Sequence, residues 1–87
     1  MDAKGKKILI ADDEPDILEV LQYNLKKEGY EVVTAKDGED ALSKAKTTRP
    51  DLIILDIMMP RKNGMEVCEI LRSQPAFHET VILMLTA

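Results

Sequence analysis

Residues 8–15 read ILIADDEP, in which a short apolar run changes directly to acidic residues. A short, β-branched apolar run that ends in polar residues is typical of a strand buried on both faces. Pro15 then suits the first turn of a helix, where no backbone N–H is needed. Apolar residues follow at helical spacing as far as Leu25, and Gly29 is the expected stop. The stretch therefore predicts a strand over residues 8–11 and a helix from about Pro15 to Glu28.

The rest of the chain repeats this alternation of apolar strand and amphipathic helix. Three more strands are predicted, at Glu31–Ala35, Leu52–Leu55 and Val81–Leu85. Apolar residues at helical spacing predict two more helices, the first from Ala41, Leu42 and Ala45 and ending over residues 47–50, the second from Val67, Cys68 and Leu71 and ending near Ser73. Residues 58–64 and 74–76 are predicted loops. The order βαβαβαβ indicates an α/β fold with a parallel sheet and right-handed crossovers.

Composition limits the function classes. The 87 residues suffice for one domain, and 45% hydrophobic residues exclude a disordered tail. The balance of 12 basic and 16 acidic residues gives −4, which argues against nucleic-acid binding by this segment. No apolar run approaches the ~20 residues that span a bilayer, and the polar start is unlike a signal peptide. The single cysteine, Cys68, cannot form an internal disulfide, so we expect a reducing, cytoplasmic location away from membranes.

Three carboxylates follow two of the predicted strands. Asp12 and Asp13 come after the first strand, and Asp56 comes after the third. Ligands of open α/β sheets bind beyond the carboxyl ends of the strands, and neighbouring strands lie ~4.8 Å apart. If strands one and three are adjacent, the carboxylates converge and repel one another, which a hard divalent cation such as Mg²⁺ would relieve. The sequence therefore predicts a site where a metal ion and a phosphoryl group meet.

Plainer interpretations exist for the same residues. Asp12 and Asp13 could cap the helix that Pro15 begins, and Asp56 could be an ordinary residue of a strand-end turn. Met58 and Met59 are expected to pack within their loop. Two further residues are expected to have no chemical role, namely Cys68 in the core and His78 in a solvated loop.

Three motifs in order carry a family resemblance. Residues 8–15 (ILIADDEP), 56–60 (DIMMP) followed by 63–66 (NGME), and 81–87 (VILMLTA) resemble the receiver domains of bacterial two-component response regulators. The likeness covers essentially the whole chain. It implies a flavodoxin-like, doubly wound parallel sheet with strand order 2-1-3-4.

The resemblance also implies a role for each site residue. Asp56 would be the nucleophile that accepts a phosphoryl group from a sensor histidine kinase. Asp13 and Asp56 would bind Mg²⁺ directly together with the backbone carbonyl of Met58, while Asp12 would reach the metal mainly through water. Thr86 would be the switch hydroxyl that donates to a phosphoryl oxygen. The implied function is a phospho-acceptor signalling module, not an enzyme, with at most Mg²⁺-dependent self-phosphorylation and self-dephosphorylation.

The sequence stops short of the family pattern. Receiver domains continue into a fourth helix, a fifth strand with a lysine after it and a fifth helix, whereas the sequence ends at Ala87. We therefore expect residues 1–87 to be a partial receiver domain, without a DNA-binding effector domain and impaired in binding metal and accepting phosphate. The alternative is a truncated or engineered flavodoxin-like scaffold fragment without signalling activity. In either case we expect an exposed edge on the fourth strand to favour a homo-oligomer.

Two other α/β classes fit the sequence less well. A phosphatase of the haloacid-dehalogenase type expects a second aspartate two residues after the first, and Met58 occupies that position. A flavodoxin that binds FMN needs a phosphate-cradling loop after the first strand, where residues 12–14 would instead repel phosphate.

Overall fold

The computed structural model describes residues 5–85, and a four-stranded parallel sheet lies at its centre. Its strands are β1 (Lys7–Ala11), β2 (Glu31–Ala35), β3 (Leu52–Asp56) and β4 (Val81–Leu85). They lie in the order β2-β1-β3-β4, which confirms the predicted flavodoxin-like arrangement. The helices are α1 (Pro15–Lys27), α2 (Gly38–Thr48) and α3 (Gly64–Arg72), with a short 3₁₀ helix at Pro75–Phe77.

The helix boundaries follow from local hydrogen bonds. Helix α1 begins at Pro15 as predicted and ends at Lys27, one residue early, before Gly29 adopts a φ of 99°. Helix α2 begins three residues before its first apolar residue because the carboxylate of Asp37 accepts the N–H of Asp40. Helix α3 begins within a predicted loop because residues 63 and 66 form a capping box.

The 3₁₀ helix replaces a second predicted loop. Pro75 stands at its first position, where the fixed φ of proline favours a helical turn. Phe77 at its end is buried in the core, so this short helix also contributes to packing.

The sheet has two unequal faces. One face packs against α2 and α3. It contains a cluster of buried apolar side chains, which we call the closed cluster, and the main strand members are Leu9, Ala11, Ile53 and Leu55. The intervening residues Ile8 and Ile10 are buried on the other face, where α1 contacts β1 and β2. The first face therefore forms the main core.

Strand β4 lies at the edge of the sheet and is covered on one face only. Ile82 and Met84 pack against the closed cluster, whereas Val81 and Leu83 on the opposite face are 53% and 50% exposed. Among the described residues β4 pairs with β3 alone. Thr86, the predicted switch residue, lies outside the described residues.

The longest helix within residues 5–85 is α1, with 13 residues. No helix in that range combines the length and the apolar character that a bilayer crossing requires.

Candidate functional site

The register of the sheet brings the three predicted carboxylates together. Ala11 of β1 is paired with Leu55 of β3, so the next residue of each chain segment, Asp12 and Asp56, stands at the same edge. Asp13 follows directly. One carboxylate oxygen from each of the three residues lies within 4.8 Å of the others. The sheet therefore makes one acidic cluster from segments more than forty residues apart.

Asp12 is the buried member of this cluster, with 3% of its surface exposed. Its Oδ1 accepts the backbone N–H of Glu14 at 2.9 Å, and its own N–H donates to the carbonyl of Ala35 at 3.1 Å. Burial, followed by the charges of Asp56 and Asp13, raises the pKa of Asp12, while the N–H of Glu14 opposes that rise. The environment therefore makes the charged form of this carboxylate less favourable than it is in water.

Asp12 and Asp13 do not cap the start of α1, contrary to what the plainer interpretation of these residues expected. The N-cap of α1 is Glu14, which makes no side-chain capping bond. Asp12 instead fixes the amide of that N-cap residue, and Asp13 is exposed beside it. Neither carboxylate is used to cap the first turn of the helix.

Asp56 is half-buried and ends β3, one residue later than the predicted strand end. Its Oδ1 accepts the backbone N–H of Met58 at 3.2 Å. The carboxylate is thus oriented by the loop that follows it, while its position at the sheet edge leaves it partly open to solvent.

The loop between β3 and α3 has one exposed and one buried methionine near its start. The side chain of Met59 is 7% exposed and belongs to the closed cluster, whereas that of Met58 is 72% exposed. The expectation that both pack within the loop is therefore wrong for Met58, because the backbone turns it towards solvent. Tethers hold the loop at both ends, since the N–H of Ile57 donates to Leu85 and the N–H of Gly64 donates to Ile57.

The structure also places the residues expected to lie outside the chemistry. Cys68 is half-buried against the core cluster, and His78 is exposed after the 3₁₀ helix. Sequence reasoning missed Arg61, which approaches Asp37 and Glu39 at the start of α2. These three residues carried no local signal because the contact joins a loop to the start of a helix that is distant in sequence.

The donor set of the cluster fits a hard divalent cation. All three groups are carboxylates, and their oxygens are near enough to surround one ion. Mg²⁺ prefers such oxygen ligands and usually keeps several waters. Without a cation, unit charges at this separation repel by about 1 kcal/mol even at the dielectric constant of bulk water. The acidic cluster is therefore suited to a metal ion, with Met58 in the adjoining loop.

Comparison with known proteins defines the class. Residues 8–87 match the family described as the response regulator receiver domain. The chain belongs to this family, and the resemblance inferred from its motifs is confirmed. A curated relative, the alkaline phosphatase synthesis transcriptional regulatory protein PhoP of Bacillus subtilis (strain 168), is 57% identical over 83 residues. The match covers 95% of this chain and 34% of the relative, so the chain spans about a third of that protein's length.

Solved structures support the same class. The N-terminal domain of a response regulator receiver protein from Methanoculleus marisnigri JR1 superposes with a TM-score of 0.91 at 40% identity, covering 97% of this chain and 68% of that one. The response regulator protein TrrA of Thermotoga maritima, solved in complex with Mg(2+)-BeF, has a TM-score of 0.87 at 46% identity, covering 94% of this chain and 70% of that one.

Proposed function

We propose that this chain accepts a phosphoryl group on Asp56 from the phosphohistidine of a sensor histidine kinase in the cytoplasm. The observation that carries the proposal is the convergence of three carboxylates at one edge of the sheet. Family membership supports it, because receiver domains of two-component systems are phosphorylated by such kinases. The chain acts as a stoichiometric acceptor in this proposal, and turnover is limited to slow gain and loss of the phosphoryl group.

The proposed step needs little covalent chemistry from the protein. A carboxylate oxygen of Asp56 attacks phosphorus, the P–N bond of phosphohistidine breaks, and the leaving imidazole nitrogen keeps the electron pair and takes up a proton. The carboxylate is held for this by the N–H of Met58. Attack by one anion on another is opposed by repulsion, so positioning and charge compensation account for most of the acceleration.

We propose that Asp13, Asp56 and the carbonyl of Met58 hold Mg²⁺, with Asp12 acting mainly through water. When bound, Mg²⁺ would offset the negative charge of the carboxylates and of the phosphoryl oxygens. The acidic cluster supports this assignment, and the Thermotoga maritima relative solved with Mg(2+)-BeF supports the choice of ion.

Phosphorylation with a small-molecule donor tests the acceptor. The chain is incubated with acetyl phosphate and Mg²⁺, and intact-mass and peptide mass spectrometry locate the added phosphoryl group. We expect weak labelling that is confined to Asp56, none in Asp56→Asn, and the wild-type level in Asp16→Asn, which alters an exposed aspartate of α1. Labelling that persists in Asp56→Asn would remove Asp56 as the acceptor.

A second candidate function, self-association, rests on a different observation. Strand β4 presents an edge with no neighbour among the described residues, and Val81 and Leu83 are half exposed on its open face. Beside them, Ile17, Val20 and Leu21 of α1 line an apolar groove of about 410 Å³ with Leu85. Backbone groups along an open strand edge are satisfied best by another strand. We propose that a second copy of the chain pairs there.

Sedimentation velocity at micromolar concentration tests this second proposal. We expect Leu83→Lys to shift the wild-type oligomer towards monomer, since a charge on an edge strand opposes strand pairing. The control is Met65→Lys on α3, because Met65 and Leu83 are both 50% exposed. A compact wild-type monomer would contradict self-association, and so would equal effects of the two variants.

A further inference from the structure

The tip of the loop between β3 and α3 adopts an unusual turn. The N–H of Lys62 donates to the carbonyl of Pro60 at 2.9 Å, and Arg61 between them has a φ of 70°. A hydrogen bond between residues two apart around a positive φ is characteristic of the rarer and more strained γ-turn. Such a conformation persists at a residue other than glycine only where surrounding contacts hold it.

One such contact is a close backbone approach to helix α2. Gly38, the first residue of α2, is buried, and a Cβ added to it would lie 1.9 Å from the carbonyl oxygen of Lys62. The loop tip therefore rests directly on the start of the helix, and only glycine leaves room for it.

The second contact is made by the side chain of Arg61. Its Nε lies 3.6 Å from Oδ2 of Asp37, and its Nη1 lies 3.5 Å from Oε2 of Glu39. Asp37 is the more informative partner, since its side chain is only 11% exposed and its other oxygen caps α2. The guanidinium thus joins the loop tip to a carboxylate already fixed by the helix.

The contacts of the loop tip with α2 can affect the acidic cluster because only a short stretch of chain separates the two. Met58, whose N–H holds Oδ1 of Asp56, lies three residues before Arg61. Between them only the buried side chain of Met59 anchors the loop to the core. The contact with α2 is therefore a further point, beside the backbone hydrogen bonds of Ile57 and Gly64, that restrains the backbone of Met58.

We propose that Arg61 is a positioning residue: by clamping the loop tip to the first turn of α2, it fixes the backbone of Met58 and thereby raises the affinity of the acidic cluster for a divalent cation. The inference about affinity rests on the proposed metal site. The inference about the loop rests on the contacts alone.

The sign of the effect separates positioning from simple electrostatics. Arg61 is itself a cation, so if it acted only through space, Arg61→Ala would strengthen Mg²⁺ binding by removing repulsion. Positioning predicts the opposite, a several-fold weaker affinity in Arg61→Ala. Gly38→Ala, which displaces the loop tip directly, should weaken binding by about tenfold, in the range seen when a ligand's supporting contacts are lost.

The experiment combines an Mg²⁺ titration followed by amide chemical shifts with hydrogen exchange in the metal-free chain. The matched control is Lys62→Ala, which removes one positive charge from the same loop, keeps the Cβ, and alters no ion pair among those found in residues 5–85. We expect Arg61→Ala to speed exchange at the amides of Lys62 and Gly64 several-fold relative to the core strands. Lys62→Ala should leave Mg²⁺ affinity unchanged or slightly higher.

Each other outcome overturns part of the assignment. Unchanged or tighter Mg²⁺ binding in Arg61→Ala would show that the residue acts through its charge or not at all. A lower Tm with unchanged loop exchange would make Arg61 merely structural. If wild type binds no Mg²⁺, the proposed metal site fails, whereas the loop clamp fails only if exchange at Lys62 and Gly64 is unaffected.

Discussion

The sheet interior and its carboxyl rim are built from the same two strands yet have opposite energetics. In β1 and β3, Leu9 and Leu55 are fully buried among apolar side chains, which is favourable. Within a few residues the same segments carry Asp12 and Asp56 into a shared, partly buried cluster, which is unfavourable without a counter-charge. The apolar interior and the acidic site are thus only three residues apart in the segment of β1 and one residue apart in β3.

The largest expected effect comes from the interior. Leu55→Ala should lower the free energy of unfolding by about 2–5 kcal/mol, because it leaves a cavity in the closed cluster. Leu83→Ala should cost far less, since Leu83 is half exposed on β4. Urea unfolding followed by circular dichroism, at one fixed protein concentration, measures both. If Leu55→Ala does not fold, Ile53→Val, expected to cost about 0.5–1.5 kcal/mol, replaces it. Equal losses of unfolding free energy at the two leucines would show that burial in the interior does not set the cost of the substitution.

The next effect is expected at the boundary between interior and rim. A Cβ added to Gly64 would lie 2.4 Å from the carbonyl oxygen of Asp56 and 2.9 Å from the methyl group of Met84. We expect Gly64→Ala to destabilise the fold by about 1–3 kcal/mol through this overpacking. The control, Met65→Ala, alters the next residue of α3, which is half exposed. If the unfolding curve of Gly64→Ala superposes on that of wild type, the loop moves to accommodate the added methyl group at little cost.

Adding Mg²⁺ should stabilise the folded chain by offsetting the repulsion among the carboxylates of the rim. At ten times its Kd, a ligand that binds only the folded state stabilises it by about 1.4 kcal/mol. We expect a corresponding rise in Tm in wild type and in Asp16→Ala, but no rise in Asp13→Ala. A rise of the same size in Asp13→Ala would place the ion elsewhere.

The smallest effect is expected from neutralising the buried member of the rim. Because the pKa of Asp12 is raised in the folded chain, its charged form destabilises that state above the raised pKa. Asp12→Asn keeps the acceptor for the N–H of Glu14 and should raise the urea midpoint at neutral pH without metal. This gain should shrink as the pH falls through the raised pKa, since Asp12 then protonates. Urea midpoints between about pH 7 and about pH 4 measure it, and a gain independent of pH would contradict the electrostatic cause.

Much of the fold could be read from local pattern. Strands such as Val81–Leu85 were predicted at their observed bounds, because a short apolar run between polar residues has few other interpretations. The starts of α2 and α3 were harder, because their caps at Asp37 and Asn63 lie before the apolar stripe that signals a helix. Strand order came from the family resemblance, since periodicity alone does not say which parallel strands are neighbours.

The site was predictable only in part. The acidic residues were located because they follow apolar strands, and strand adjacency then brings them together. The contact of Arg61 with Asp37 and the close approach at Gly38 could not be predicted, since both depend on how a loop meets the start of a distant helix.

The opposite exposures of Met58 and Met59 also determine how the site meets oxidants. We expect peroxide to convert the exposed thioether of Met58 to a polar sulfoxide that is already in contact with water, which leaves the core undisturbed. The same conversion at Met59 would force a polar group into the apolar cluster, but the fold shields that sulfur. We therefore expect Met58 to be oxidised before Met59, and its backbone carbonyl, the group assigned to the proposed metal site, is chemically unchanged by that oxidation.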